Sequence, residues 1–169
     1  VGTGACSTKE TIRLSKKMEE LGADALSVIT PYFLTPTEEE LVQHFTAVAE
    51  SVSIPIILYN IPKATGCNLS AEVVGCLAEV ENIRGIKDSS GKEENLKAYA
   101  ELAKHPLIVA TKEASGNVSA IAKTAALCGD ELAIYSGNDD QILPLLALGG
   151  IGVISVLANV APRETHDIC

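Results

Sequence analysis

Ile83-Arg84-Gly85-Ile86-Lys87-Asp88-Ser89-Ser90-Gly91 decides the fold: a short strand over residues 83–87 ends on a lysine and breaks into a polar turn closed by glycine. Shifted by 25 positions, the same unit returns, with Leu77-Ala78 on Leu102-Ala103, Ile83 on Ile108, Lys87 on Lys112, Ser90 on Ser115 and Gly91 on Gly116. Strand-and-helix units resemble one another by patterning alone. Here, however, the match includes the lysine and the turn behind it, where chemistry is expected, so a local duplication is the stronger reading.

Outward from this unit, strand and helix patterns alternate. Residues 8–21 place Ile12, Leu14, Met18 and Leu21 close to helical spacing, and Gly22 stops the helix. A strand over 23–30 ends in Pro31-Tyr32-Phe33. Thr37 and the acids Glu38-Glu39-Glu40 open a helix that turns Leu41, Phe45 and Val48 inward. Residues 54–59 form a strand with Pro55 near its start, where a missing donor is tolerated. Ser70 caps a helix through Leu77. Downstream, helices are predicted over 97–104, 118–127 and 143–148, and strands over 107–112, 132–136 and 152–156; residues 1–4 read as the end of one further strand.

About seven parallel strands joined by helices imply an α/β fold. A doubly wound open sheet is disfavoured by the lack of a GxGxxG or P-loop motif after an early strand. Polar residues gather instead at many strand ends: Thr30 and Tyr32, Tyr59 and Asn60, Lys87, Lys112, Ser136 and Asn138, Ser155. A (β/α) barrel assembles its site in this way, from the C-terminal ends of several strands.

The composition agrees with one soluble domain. The chain has 169 residues, 47% hydrophobic and 4% aromatic, and its Ala, Val, Ile and Leu suit strands buried on both faces. Thirteen basic against 22 acidic residues, a net charge of −9, and no basic-aromatic patch argue against nucleic acid as a partner. No apolar stretch approaches a membrane span. Cys6, Cys67, Cys76, Cys128 and Cys169 lack zinc or disulfide-framework spacing and read as buried thiols of a reducing, cytoplasmic compartment. His44, His105 and His166 show no ligand spacing and are expected on the surface or at helix ends, so no metal is predicted. Asp139-Asp140 reads as a polar turn ordering its loop, and Ser89, Ser90 and Ser115 lack the partners of a serine hydrolase.

A lysine among apolar walls loses part of its preference for the charged form, and its free amine can then attack a carbonyl. A lone strand-end lysine is more often paired with a nearby acid. Tyr59 at the preceding strand end shifts that balance, since a phenol beside an imine relays the protons that its formation needs.

These segments together resemble the dihydrodipicolinate synthase and N-acetylneuraminate lyase family of pyruvate-dependent class I aldolases. The resemblance rests on Gly2-Thr3-Gly4, Thr30-Pro31-Tyr32, Tyr59-Asn60-Ile61-Pro62 with Thr65-Gly66, Gly85 through Gly91, Ser136-Gly137-Asn138-Asp139-Asp140 and Gly152-Val153-Ile154-Ser155, in the family's order. It implies a (β/α)8 TIM barrel, pyruvate bound as a Schiff base, no cofactor, and a homo-oligomer. Carried over, Tyr59 is the proton shuttle and Thr65, Gly137 and Ile154 are substrate-binding positions. Lys87 has the family's spacing to Tyr59, while Lys112 has its spacing to Gly137; both are retained as catalytic lysines.

No single lysine meets both spacings, so residues 1–99 resemble the front of such a barrel and residues 100–169 its back, overlapping by the repeated unit within one partial barrel over 1–169. By the resemblance the family's first two strands are expected to be absent, together with the Thr-Thr loop that holds the pyruvate carboxylate. Phe33 stands where the synthases have a relay tyrosine. Ala64 replaces an arginine that grips the second substrate, with Lys63 beside it as an imperfect point charge. The first expectation is condensation of pyruvate with aspartate semialdehyde for lysine synthesis. The second is a sugar-acid aldolase, such as a 2-keto-3-deoxygluconate aldolase or N-acetylneuraminate lyase, and the third an inactive fragment that only associates with other chains.

Overall fold

The structure, a computed structural model, describes residues 1–90, 92, 95, 98, 110–128 and 132–169. Apart from residue 98, the helix predicted over 97–104 lies outside them, as do residues 107–109 of the next predicted strand.

Six parallel strands form one sheet: β1 (Leu26–Ile29), β2 (Ile56–Asn60), β3 (Ile83–Asp88), β4 (Ala110–Glu113), β5 (Ala133–Ser136) and β6 (Gly152–Val153). Their spatial order equals their chain order. A doubly wound sheet reverses direction at a switch point, whereas this sheet never does, so its winding is that of a barrel segment. The predicted strand over residues 1–4 is reduced to one parallel bridge, Gly2 to Ser27, on the outer side of β1. Among the described residues there are thus seven strand positions, six of them strands.

Several helices start where a side chain can satisfy their free amides. α1 (Thr8–Glu20) is capped by Ser7, whose oxygen accepts from Glu10 N, and it ends where Gly22 turns the chain at φ +85°. α2 (Glu38–Ala49) has a full capping box: Thr37 N donates to Glu40 at 2.7 Å and Glu40 N donates back to the Thr37 hydroxyl at 3.2 Å. A single turn, α3 (Pro62–Thr65), follows β2, and Ser70 caps α4 (Ala71–Leu77). Further along the described residues lie α5 (Val118–Cys128), α6 (Ile142–Ala147) and α7 (Pro162–Ile168).

β1 and β2 alternate strictly in burial. Leu26, Val28, Ile56 and Leu58 face the helices with no exposed surface and pack with Leu41, Phe45 and Val48 of α2 and Val73, Val74 and Leu77 of α4. A second cluster, Ala78, Ile121, Leu132, Ile134 and Leu145, continues this layer beneath α5 and α6. Each fully buried aliphatic side chain here stabilises by about 1.5–3 kcal/mol. The opposite face of the sheet carries the partly exposed residues Ile57, Tyr59 and Lys87. No helix among the described residues is long and apolar enough to cross a membrane.

Several expectations need correction. The strand predicted over 152–156 stops at Val153, because Asp139 draws the following backbone out of the ladder; the Val156 and Leu157 amides both donate to its carboxylate. A 3-10 turn (Leu157–Asn159) and α7, which starts on Pro162, then occupy a stretch that carried no helix prediction. Of the four thiols whose side chains are described, Cys67 is buried and Cys6, Cys76 and Cys169 are exposed. His44 is no surface residue either. It is 5% exposed, edge-on to Phe45, with Nδ1 2.9 Å from the Thr8 hydroxyl and Nε2 buried without a partner.

Burial pulls the His44 pKa down to about 4. The unfolded chain binds this proton near pH 6.5 and the folded chain does not, so stability present above about pH 6.5 is lost as pH falls toward 4. Denaturation midpoints at pH 7 and pH 5 are expected to differ by less in His44→Leu than in the unchanged protein. The full contribution of the group is at most on the order of 3 kcal/mol; equal pH slopes in the two proteins would contradict this account.

Candidate active site

Parallel register builds a row across the C-terminal ends of the strands. Ile29 pairs with Tyr59 and Tyr59 with Lys87; Ile86 pairs with Thr111, which sets Lys87 beside Lys112; Lys112 pairs with Tyr135, and Tyr135 with Gly152. Residues in register share a face. The inner face thus presents Tyr59, Lys87, Lys112 and Tyr135 on four consecutive strands, two amines between two phenols. The three predicted catalytic residues are brought together.

Lys87 Nζ lies 3.1 Å from the centroid of the Tyr59 ring, on the electron-rich face that attracts a cation. The two amines lie close enough that the charge of Lys87 bears directly on Lys112. Lys112 is only 8% exposed. Its pKa falls to about 8, first because burial disfavours the ammonium and then because Lys87 adds like charge; the phenol of Tyr59 and the carboxylate of Asp139 pull weakly the other way. Burial also lowers Lys87, offset in part by its neighbour Lys112.

Gly137 sits against this pair. A Cβ at this position would lie 2.5 Å from Lys112 Cε and 3.0 Å from the Glu113 carbonyl, so only glycine leaves room for the lysine stem. Ile154, 42% exposed, follows β6, and its amide donates to the Ser136 carbonyl at 2.8 Å, extending the ladder by one bond. Asp139 accepts from the Ser155 hydroxyl as well as from two amides, and these bonds hold its carboxyl below the ordinary carboxylate range. It orders its loop, as the sequence reading has it. The Thr65 hydroxyl is engaged locally, between the Ile61 and Cys67 carbonyls and the Cys67 amide.

Behind the lysines the two turns share two hydrogen bonds. Ser90 N donates to Asp88 at 3.4 Å and Ser115 N to Glu113 at 2.9 Å; Lys92 N donates to the Ser90 hydroxyl and Asn117 N to the Ser115 hydroxyl, each at 3.2 Å. Asn60 ties the first turn to β2. Its amide donates to Asp88 at 2.8 Å, and its oxygen accepts from Leu69 N at 3.0 Å. Burial raises the Asp88 pKa despite the bonds from Ser90 and Asn60.

The sequence reading passed over Tyr135. Its signal was available: Ala133, Tyr135 and Gly137 alternate with the core residues Leu132 and Ile134, which puts the phenol on the lysine face. A cavity of about 240 Å³ touches Lys112 but is otherwise lined by Asp88, Thr111, Ser115, Ala120 and Thr124, toward α5, and it excludes Lys87 and Tyr59. It lies beside the row and holds none of the aromatic face. Among the described residues no three His, Cys, Asp or Glu side chains gather as metal ligands.

Comparison with known proteins agrees with this geometry. The model of the dihydrodipicolinate synthetase family matches the chain twice, over residues 1–100 and 95–169. A 4-hydroxy-tetrahydrodipicolinate synthase of Clostridium perfringens is 46% identical over 168 residues, covering 99% of this chain and 49% of the relative. A dihydrodipicolinate synthase of Acinetobacter baumannii, solved with pyruvate, superposes with a TM-score of 0.66 at 40% identity, over 99% of this chain and 49% of that one. The Thermotoga maritima dihydrodipicolinate synthase gives 0.67 at 34% identity, over 100% and 50%. The chain thus spans about half the length of the relatives it matches. On these matches and the singly wound sheet that carries its lysines, the chain belongs to the dihydrodipicolinate synthetase family.

Proposed function

We propose that Tyr59 and the paired lysines form a Schiff base with pyruvate, and that the chain serves a 4-hydroxy-tetrahydrodipicolinate synthase that condenses pyruvate with aspartate semialdehyde. The observation that carries this reading is the row itself, in which two amines with burial-lowered basicity sit against a phenol at the C-terminal strand ends. The relative from Acinetobacter baumannii was solved with pyruvate, which supports the substrate.

The chemistry balances within this set of groups. A lysine Nζ lone pair forms a bond to the pyruvate ketone carbon, and the carbonyl π pair moves onto oxygen, which takes a proton through the Tyr59 phenol. Nitrogen gives one proton back to the phenol and the oxygen takes a second from it, so the carbinolamine expels water and leaves the iminium. The iminium accepts the electrons freed when a methyl proton passes to the Tyr59 oxygen, giving an enamine whose carbon attacks the aldehyde, and the new alkoxide takes that proton back. The imine is the electron sink, so no metal or other cofactor is needed. Gly137 and Ile154 shape the pocket around the lysine, and Thr65 sets the loop after β2.

We read the two overlapping family matches as a front part, 1–99, and a back part, 100–169, sharing a repeated unit; the two matching hydrogen bonds of the turns support that reading. The same proposal places the chain in the cytoplasm and in a homo-oligomer, where the outward Phe33, Leu34, Val156 and Val160 find cover. A sugar-acid aldolase is the second reading. Its support is that Phe33, 92% exposed at φ +82°, has no hydroxyl to relay a proton, and that Ala64 on α3 offers no charge to a second carboxylate.

Reduction with borohydride in the presence of pyruvate is expected to leave a pyruvate-derived mass on a peptide containing Lys87 or Lys112; neither peptide modified rejects the Schiff-base chemistry. Tyr59→Phe should slow trapping about 10²-fold or more while leaving the fold intact by circular dichroism. Gly137→Ala should reduce trapping at Lys112 by forcing its stem aside, and unchanged trapping would refute the contact's role. Turnover with aspartate semialdehyde against that with sugar acids separates the two aldehyde readings.

A further inference from the structure

We propose that the two lysines act as one unit, in which Lys112 is the amine that forms the imine and Lys87 is the ammonium standing beside it. The inference rests on the Schiff-base reading above and assigns its nucleophile.

Three observations assign the roles. Two ammonium groups at the same height on neighbouring strands repel each other, so the pair favours the state in which one partner is the neutral amine. Lys87 has the cation's place, because its Nζ lies 3.1 Å over the Tyr59 ring, a face that stabilises charge and gives nothing to a free amine. Lys112 has the neutral partner's place, being 8% exposed with Cε held against Gly137. The groups that face Lys112 agree with this: Lys87 on β3 and Tyr59 on β2 from one side, Tyr135 on β5 from the other, and Asp139 beyond β5. Asp139 is the one counter-charge in that set, and it already accepts from Ser155 and two backbone amides.

Attack therefore proceeds from Lys112 Nζ onto the ketone carbon of pyruvate. The π pair moving to oxygen develops negative charge next to the Lys87 ammonium, which stabilises it and returns unchanged once water has left. Lys87 thus acts both on the reacting oxygen and on the free-amine fraction of Lys112, without forming a covalent bond. A second cation beside an amine is a known means of keeping that amine free near neutral pH.

The test follows borohydride trapping with pyruvate across pH, with the modified lysine located by peptide mapping. The full chain is expected to carry the adduct on Lys112. Lys87→Met should move the midpoint of the trapping profile upward and lower the rate at pH 7 about tenfold, one pKa unit being a factor of ten in free amine. Lys87→Arg keeps the charge and should restore the original profile. An adduct on Lys87 with Lys112 unmodified, or an unmoved profile in Lys87→Met, overturns the assignment and leaves the Schiff-base reading standing. An adduct on neither lysine rejects that reading instead. The assignment is then decided by NMR titration of the lysines after 13C reductive methylation: Lys112 losing its proton below Lys87 supports it, and the reverse order overturns it.

Discussion

A sheet wound in one direction ties the height of a side chain on the inner face to its place in the strand, and its lateral position to chain order. That constraint organises the rest of this molecule. Tyr59, Lys87, Lys112 and Tyr135 are separated in sequence by loops, helices and caps, yet in register they form one row because each strand pairs only with its neighbours in the chain. The outward residues of the same strands, Leu58, Ile86, Thr111 and Ile134, turn to the helices, and core packing there fixes the register. A one-residue slip would bury the lysines and expose the core. The chemistry is thus held in place by aliphatic burial on the opposite face.

The C-terminal rim adds polar bonds to this frame. Asn60 spans from β2 to Asp88 and Leu69, and Asp139 gathers Ser155 and two amides behind β6. Such bonds each contribute about 1 kcal/mol net, but breaking one leaves a buried group unsatisfied. They fix the strand ends to which the amines and the phenols are attached, and so hold the row at working distances.

Much of this was legible in the sequence, and the failures have physical causes. Alternation of strand and helix, the caps at Ser7, Thr37 and Ser70, and the spacing of Tyr59 to Lys87 are local patterns, and local patterns survive folding. Which strand lies beside which is a tertiary fact. The sequence therefore yielded two competing lysines, where the register shows two neighbours. His44 was misplaced although its spacing from Leu41 and Val48 puts it on the buried face of α2; histidine's polarity outweighed the periodicity in that reading. The strand over 152–156 was overextended because nothing in Val153-Ile154-Ser155-Val156 announces that Asp139, many residues earlier, will capture those amides. Exposure of single cysteines follows from packing that no spacing encodes.

The neighbouring lysines also follow from the winding. A helix-and-strand unit repeated in a singly wound sheet has one place to go, the next position around the sheet, where its strand pairs with the original at equal height. Any residue at the strand end is then duplicated beside itself. For an apolar side chain this is harmless. For a lysine it sets two like charges side by side inside a partly buried row, which two ammonium groups cannot sustain without cost. Release of one proton relieves the repulsion and leaves a cation beside a free amine. In the reading proposed here, a repeat that breaks the family's single-lysine spacing itself generates a nucleophile, and the aromatic face over Lys87 and the glycine against Lys112 decide which of the two it is.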